Sequence, residues 1–265
     1  MARPPVAPPA CRSATTSSRA PPDWLPLDLG DDRSPHRWRL VGLAYHRGMK
    51  HTAGLDLPET VADAISRERT ALIVYDMQVG SMRQLKDGAA VLAGVLRVLE
   101  AARDAGLRIL FLRHLSLPVN LMGAFQIRQA LAWQRKDDPR DLTPWFLRGS
   151  DAHALVEALA PRDTEAIFDK IGMSAFEGTP LDTTLRDCGI SNVLLTGVAM
   201  EIGIEPTVRH AADLGYIPIV VEDACGAGDQ AAGARAVASL RFMNDAVFTT
   251  VDEVTALLRA LGPPR

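Results

Sequence analysis

From residue 57 onward, short apolar runs alternate with stretches of helical spacing. Residues 70–77, TALIVYDM, form a nearly continuous apolar run that closes on an acid. Such a run suits a central parallel strand covered on both faces. Leu57–Ser66 reads as a short segment leading into it. Residues 86–105 carry Ala89, Leu92, Val95, Leu96 and Leu99 at helical spacing, and Gly106 is the predicted stop. A second strand is predicted at 107–115. A third, at 165–171, ends near a lysine. A helix over 181–187 stops at Gly189, and Val193–Thr196 is a fourth strand. A helix from Ile202 to Leu214 stops at Gly215, followed by a strand at 217–224. An alanine-rich helix at 228–242, a last strand at 246–250 and a last helix at 251–261 complete the pattern. Six strand–helix alternations predict an α/β fold: a six-stranded, mostly parallel sheet with helices on both faces, a Rossmann-like three-layer sandwich over residues 57–262.

Two regions break the rhythm. Residues 115–164 hold Pro118, Pro139, Pro144 and Pro161, with Trp133 and Trp145. Helical pieces are predicted at Ala124–Arg135 and Asp151–Leu159. An excursion of this length between two strands reads as a lid or binding loop, with the tryptophans as candidate pocket walls. Residues 1–48 hold eight of the 18 prolines and seven arginines, with no period. That composition predicts a disordered Pro/Arg-rich extension. It reads as a dispensable tail, as the product of a start upstream of a natural Met49, or as a transit peptide. Asp23, Asp28, Asp31 and Asp32 count against the last.

Composition narrows the partners. A net charge of −3 argues against a nucleic-acid binder. No apolar run approaches the ~20 residues that a membrane-spanning helix needs. The three cysteines, Cys11, Cys188 and Cys225, are odd in number and widely spaced, which fits a reducing, cytoplasmic setting and offers no metal pattern. No phosphate loop or dinucleotide fingerprint implies a cofactor. A small-molecule substrate is the expected partner.

In an open parallel sheet, ligands bind beyond the carboxyl ends of the strands. The residues predicted there are Asp76 and Gln78, His114, Lys170, the Gly197–Gly203 turn, and Asp223 with Cys225. An acid, a base and a helix N-terminus, which favours anionic groups, converge on one edge. An Asp76–Lys170 ion pair is expected. Each residue also has a plainer reading: Asp76 as a cap, Lys170 as a solvated strand end, Cys225 as a small buried residue. His114 has no partner at ligand spacing, so no metal site is expected.

Three stretches resemble the isochorismatase-like hydrolase superfamily, also called the cysteine hydrolases: ALIVYDMQ at 71–78, KIGMSAFEGTPLDTTLRDCGISNVLLTGVAMEIGIEPTVRHAADLGY at 170–216, and IPIVVEDACGAG at 217–228. The resemblance covers about residues 68–258. It implies oligomers, and the small apolar residues of helices 86–105 and 228–242 agree with a homo-oligomer. It makes Asp76 the general acid/base and Lys170 the lysine that polarises the site. Val198–Ala199 becomes a cis peptide presenting an oxyanion-hole N–H. Gly203 falls where amide-cleaving members carry the cysteine nucleophile. Isochorismatases proper also have glycine there and cleave a vinyl ether without a covalent step. Three departures stand out: Glu201 replaces their histidine, Gly172 replaces an arginine, removing a bidentate carboxylate contact, and the usual acid a few residues after Asp76 is absent from MQVGSM at 77–82.

The expected function is a small-molecule hydrolase without a cysteine nucleophile. Gly203 would leave room for a water, activated by Asp76 and Lys170, to act on an enol ether or a C–N bond. Gln78, His114 and Glu201 are candidate substrate contacts. Two alternatives remain: a catalytically inactive binding or regulatory module, and an amidohydrolase using Cys225.

Overall fold

The computed structural model describes residues 49–264. The extension at 1–48 lies outside the described residues. Eight strands alternate with helices: β1 (Lys50–Thr52), β2 (Leu55–Leu57), α1 (Val61–Ala64), β3 (Thr70–Tyr75), α2 (Val79–Met82), α3 (Gly88–Asp104), β4 (Arg108–His114), α4 (Ala124–Gln134), β5 (Ala166–Lys170), α5 (Leu181–Asp187), β6 (Asn192–Val198), α6 (Glu205–Asp213), β7 (Ile217–Gly226), α7 (Gln230–Met243), β8 (Val247–Thr249) and α8 (Val251–Ala260). β1 and β2 form a small antiparallel pair. The other six strands make one sheet in the order β5-β4-β3-β6-β7-β8, with every neighbouring pair parallel.

The two-residue period of each strand sorts its side chains onto opposite faces. Leu72 and Val74 of β3 pack on one face against Val95, Val98 and Leu99 of α3 and Val254 and Leu258 of α8. Ala71, Ile73 and Tyr75 pack on the other against Leu181 and Leu185 of α5, Val208 and Ala211 of α6, and Ala236 and Leu240 of α7. All six residues of β3 are buried, as the continuous apolar run implies. The predicted three layers are present.

The strand order sets the position of the site. The chain runs outward from β3 through β4 and β5, then crosses back to pair β6 with β3 and runs outward the other way. The reversal between β3 and β6 is a topological switch point, where the loops at the carboxyl ends diverge and leave a crevice. β6 is pressed hard against β3 there. Gly197, with φ of +121° and a register shift beside it, lies so close to the Tyr75 carbonyl that a Cβ would overlap it. Only glycine fits that backbone and that approach.

Two predicted helices differ in detail. Asp151–Leu159 is not one helix but two 3-10 turns, Asp151–His153 and Glu157–Leu159. The residues between them are drawn into extended pairing with the end of β3. The Val79 N–H donates to Ala154 at 2.9 Å, and the Val156 N–H to Met77 at 3.0 Å. The helix predicted from Ile202 starts two residues earlier, as a π-helical turn over Met200–Ile204 that leads into α6.

Candidate active site

Asp76 is the first residue after β3. Its backbone is left-handed, with φ of +44°, a conformation that Asp tolerates better than most residues. The Asp76 N–H donates to Leu112 at 3.1 Å, and its carbonyl accepts from Gln78 at 2.7 Å. Asp76 is 8% exposed. Lys170 closes β5 with a side chain wholly covered by protein. Its Nζ donates to Asp76 Oδ2 at 2.8 Å and to the Gly172 carbonyl at 3.3 Å, and lies 4.3 Å from the centre of the Tyr75 ring. Asp76 Oδ1 is buried with no hydrogen-bond partner among the described residues. The expected ion pair is formed, and it is more deeply buried than a strand-end position suggests. Burial lifts the Asp76 carboxyl above its ordinary range, and attraction to Lys170 limits the rise. Burial likewise depresses the Lys170 ammonium, held back by Asp76.

Gly203 lines the crevice, but the direction that a side chain there would take is filled. A Cβ on Gly203 would overlap Oη, Cε1 and Cζ of Tyr75. Tyr75 is 1% exposed, and its hydroxyl donates to the Met173 carbonyl. Burial, with Asp76 adjacent, raises the phenol well above its ordinary range, so Tyr75 stays protonated. Thr207 braces the same turn: its Oγ1 donates to Gly203 O at 2.7 Å and accepts from the Ala175 N–H at 2.9 Å. The place of a side chain at Gly203 is thus occupied by the Tyr75 ring of β3.

The other predicted residues divide. The Val198–Ala199 peptide is cis, and both residues line the crevice with Asp76, Gly203, His114 and Glu201. Gln78 does not line it. Its amide is spent inside the protein, donating to the carbonyls of His114 and His153 at 3.0 and 2.9 Å and accepting the His114 N–H at 2.7 Å. It locks the end of β4 to the 150–156 segment. The His114 ring packs edge-on to Phe146, and burial with Lys170 nearby pushes its pKa down to about 3, so it is a neutral wall residue. Glu201 turns aside: its Oε1 accepts the Asp229 N–H at 2.9 Å. Cys225 is absent from the crevice. Its thiol lies 3.6 Å from the Leu195 carbonyl, and burial with Asp223 close by drives its pKa up, which disfavours the nucleophilic thiolate.

The crevice encloses about 440 Å³. Trp133, Trp145 and Phe146, all from the 115–164 excursion, form its apolar side together with Met173 and Ile202. The two tryptophans were legible as wall candidates. Tyr75 was not, because it reads as one more core residue of a buried strand. The available signal was a bulky ring in an otherwise aliphatic run, on the sheet face that also carries Lys170.

A model of the Isochorismatase domain matches residues 70–253, a span that contains all six strands of the main sheet and Asp76, Lys170 and Gly203. Over 181 residues the chain is 32% identical to the ureidoacrylate amidohydrolase RutB of Methylobacterium radiotolerans, covering 66% of this chain and 68% of the relative. It is 30% identical over 224 residues to the RutB of Serratia proteamaculans, covering 78% and 88%. Among solved structures, a cysteine hydrolase from Pseudomonas syringae pv. phaseolicola aligns with a TM-score of 0.64 at 25% identity, over 75% of this chain and 96% of its own. With the sheet order, the cis Val198–Ala199 turn and the matched span in agreement, the chain belongs to the isochorismatase domain family.

Proposed function

We propose that the chain hydrolyses a C–N bond of a small amide or ureide with water as the nucleophile and no covalent intermediate. The observation that carries this reading is the asymmetry of the Asp76 carboxylate. Lys170 engages Oδ2, while Oδ1 is buried beside the crevice that Asp76 lines and has no hydrogen-bond partner among the described residues. An acceptor held in that way is placed to take a proton. Water oxygen bonds to the carbonyl carbon as Oδ1 takes the water proton. The C–N bond then breaks, and the same proton passes to the leaving nitrogen. Unpaired N–H groups at the start of the 200–204 turn are the candidate oxyanion donors. The relatives named as amidohydrolases favour the C–N bond over the ether. Tyr75 at the nucleophile's place supports the non-covalent route, and an N–H-rich ureide suits the free Asp76 oxygen.

Ammonia release from simple ureides and primary amides, before and after alkylation with iodoacetamide, tests the proposal. Full alkylation of the accessible thiols is expected to leave turnover unchanged. Activity lost in proportion to alkylation of Cys225 or Cys188 would sink the thiol-free route. Binding of these compounds with no turnover at high enzyme concentration would make the chain a binding module instead.

The pH profile offers a second check. If Asp76 acts as base, kcat/KM falls as pH drops through its pKa, which burial sets above the ordinary value of about 4. Lys170 pulls that pKa down, so Lys170→Met is expected to move the acid limb to higher pH. A limb that stays in place or moves down in Lys170→Met removes this role for the lysine.

A further inference from the structure

We infer that the crevice selects an uncharged or cationic substrate bearing N–H groups on a flat apolar body, and excludes carboxylates. The inference rests on the hydrolase reading for where the reactive group sits; the selectivity itself is a property of binding.

Charge is the first ground. Among the described residues that line the crevice there is no lysine or arginine. Lys170 lies behind the wall, covered and engaged by Asp76. His114 is neutral at ordinary pH. The charged groups in the wall are carboxylates, Glu201 and Asp229, together with Asp76, whose charge Lys170 balances at 2.8 Å. A cleft lined by one sign of charge raises the local concentration of the opposite sign and repels its own.

The backbone supplies the second ground. A helix N-terminus could receive a substrate carboxylate; the start of the 200–204 turn is taken up by the reacting carbonyl oxygen in the proposed reaction, and α7 begins beside the crevice. Two of the N–H groups there are already taken by the protein's own acids. The Ala232 N–H donates to Asp229 Oδ1 at 2.7 Å, and the Asp229 N–H donates to Glu201 Oε1. An incoming anion would therefore compete with two tethered carboxylates for those groups.

Third, the wall asks for donors. Asp76 Oδ1 and Glu201 Oε2 are both buried acceptors without a hydrogen-bond partner among the described residues. Unmatched acceptors are costly; an amide NH2, a ureido group or an ammonium adds donors beside this wall, whereas a second carboxylate adds only acceptors. Facing them, Trp133, Trp145 and Phe146 offer a flat apolar side that suits a planar body and favours a cation near a ring.

Three probes of nearly one shape separate the cases: benzylammonium, benzamide and benzoate, titrated calorimetrically into the full chain at neutral pH and low salt. Benzylammonium and benzamide are each expected to bind at least about tenfold more tightly than benzoate. The ratio of benzylammonium to benzoate is expected to narrow in Glu201→Gln and in Asp229→Asn. Benzoate binding as tightly as the others, no binding of any probe at millimolar concentration, or an unchanged ratio in both variants would overturn the inference. The readout needs no turnover. An inactive chain with the expected order keeps this inference while losing the hydrolase reading, and an active chain that prefers benzoate does the reverse.

Discussion

Asp76→Asn is expected to lower kcat/KM by about 10²- to 10⁴-fold, the range that a positioned general base contributes. Asn keeps the size of the side chain and removes the carboxylate that takes the proton. The substitution also leaves the buried Lys170 ammonium without its counter-charge, and stranding one member of a buried pair costs roughly 3–5 kcal/mol. A loss of activity alone would therefore not separate chemistry from folding. The double variant Asp76→Asn/Lys170→Met makes the separation. Removing both charges is expected to recover most of the lost denaturation midpoint, while the rate stays at the level of Asp76→Asn. A double variant that regains stability and also turns over at the original rate would take Asp76 out of the mechanism.

Gly203→Cys, which would place a thiol in the turn, is expected to destabilise rather than activate. The new Cβ would overlap the Tyr75 ring, which is buried, bonded to Met173 and stacked beneath the Lys170 ammonium. Overpacking of a filled core costs about 1–3 kcal/mol. Tyr75→Ala alone leaves a cavity and is expected to cost about 3–5 kcal/mol, the range for large aromatic truncations. The two changes act on one volume, so they should not add. The double variant Tyr75→Ala/Gly203→Cys is expected to lose at least about 1 kcal/mol less than the sum of the singles. Chemical denaturation of the four proteins measures this. Additive losses, within about 0.5 kcal/mol, would mean that Gly203 and Tyr75 are not a matched pair. If they are matched, the glycine is one half of a packing solution and not the scar of a lost nucleophile.

Much of the architecture could be read from local pattern. A fully buried strand declares itself by an unbroken apolar run, as at Thr70–Tyr75, and an amphipathic helix by its spacing, as at Gly88–Asp104. Parallel strands send their carboxyl ends to one edge, so Asp76 and Lys170 were legible as neighbours across a site. The same logic misplaced Gln78. An amide two residues past an acid at a strand end looks like a substrate contact, but His114 and His153 consume it, and His153 belongs to a distant segment. It also misread Asp151–Leu159, whose apolar spacing fits a helix while its backbone partners lie in residues 77–79.

Which segments become strands and helices, that six of the strands form a parallel sheet, and which charged residues end them are all written in the local pattern of residues. These follow from periodicity, a property of neighbours along the chain. Only the tertiary structure decided that Tyr75 fills the place of a side chain missing at Gly203, that Glu201 turns away to Asp229, and that Lys170 is sealed behind Asp76. Those outcomes depend on which volumes and charges the strand order brings together, and steric exclusion and charge pairing act through space regardless of distance along the chain.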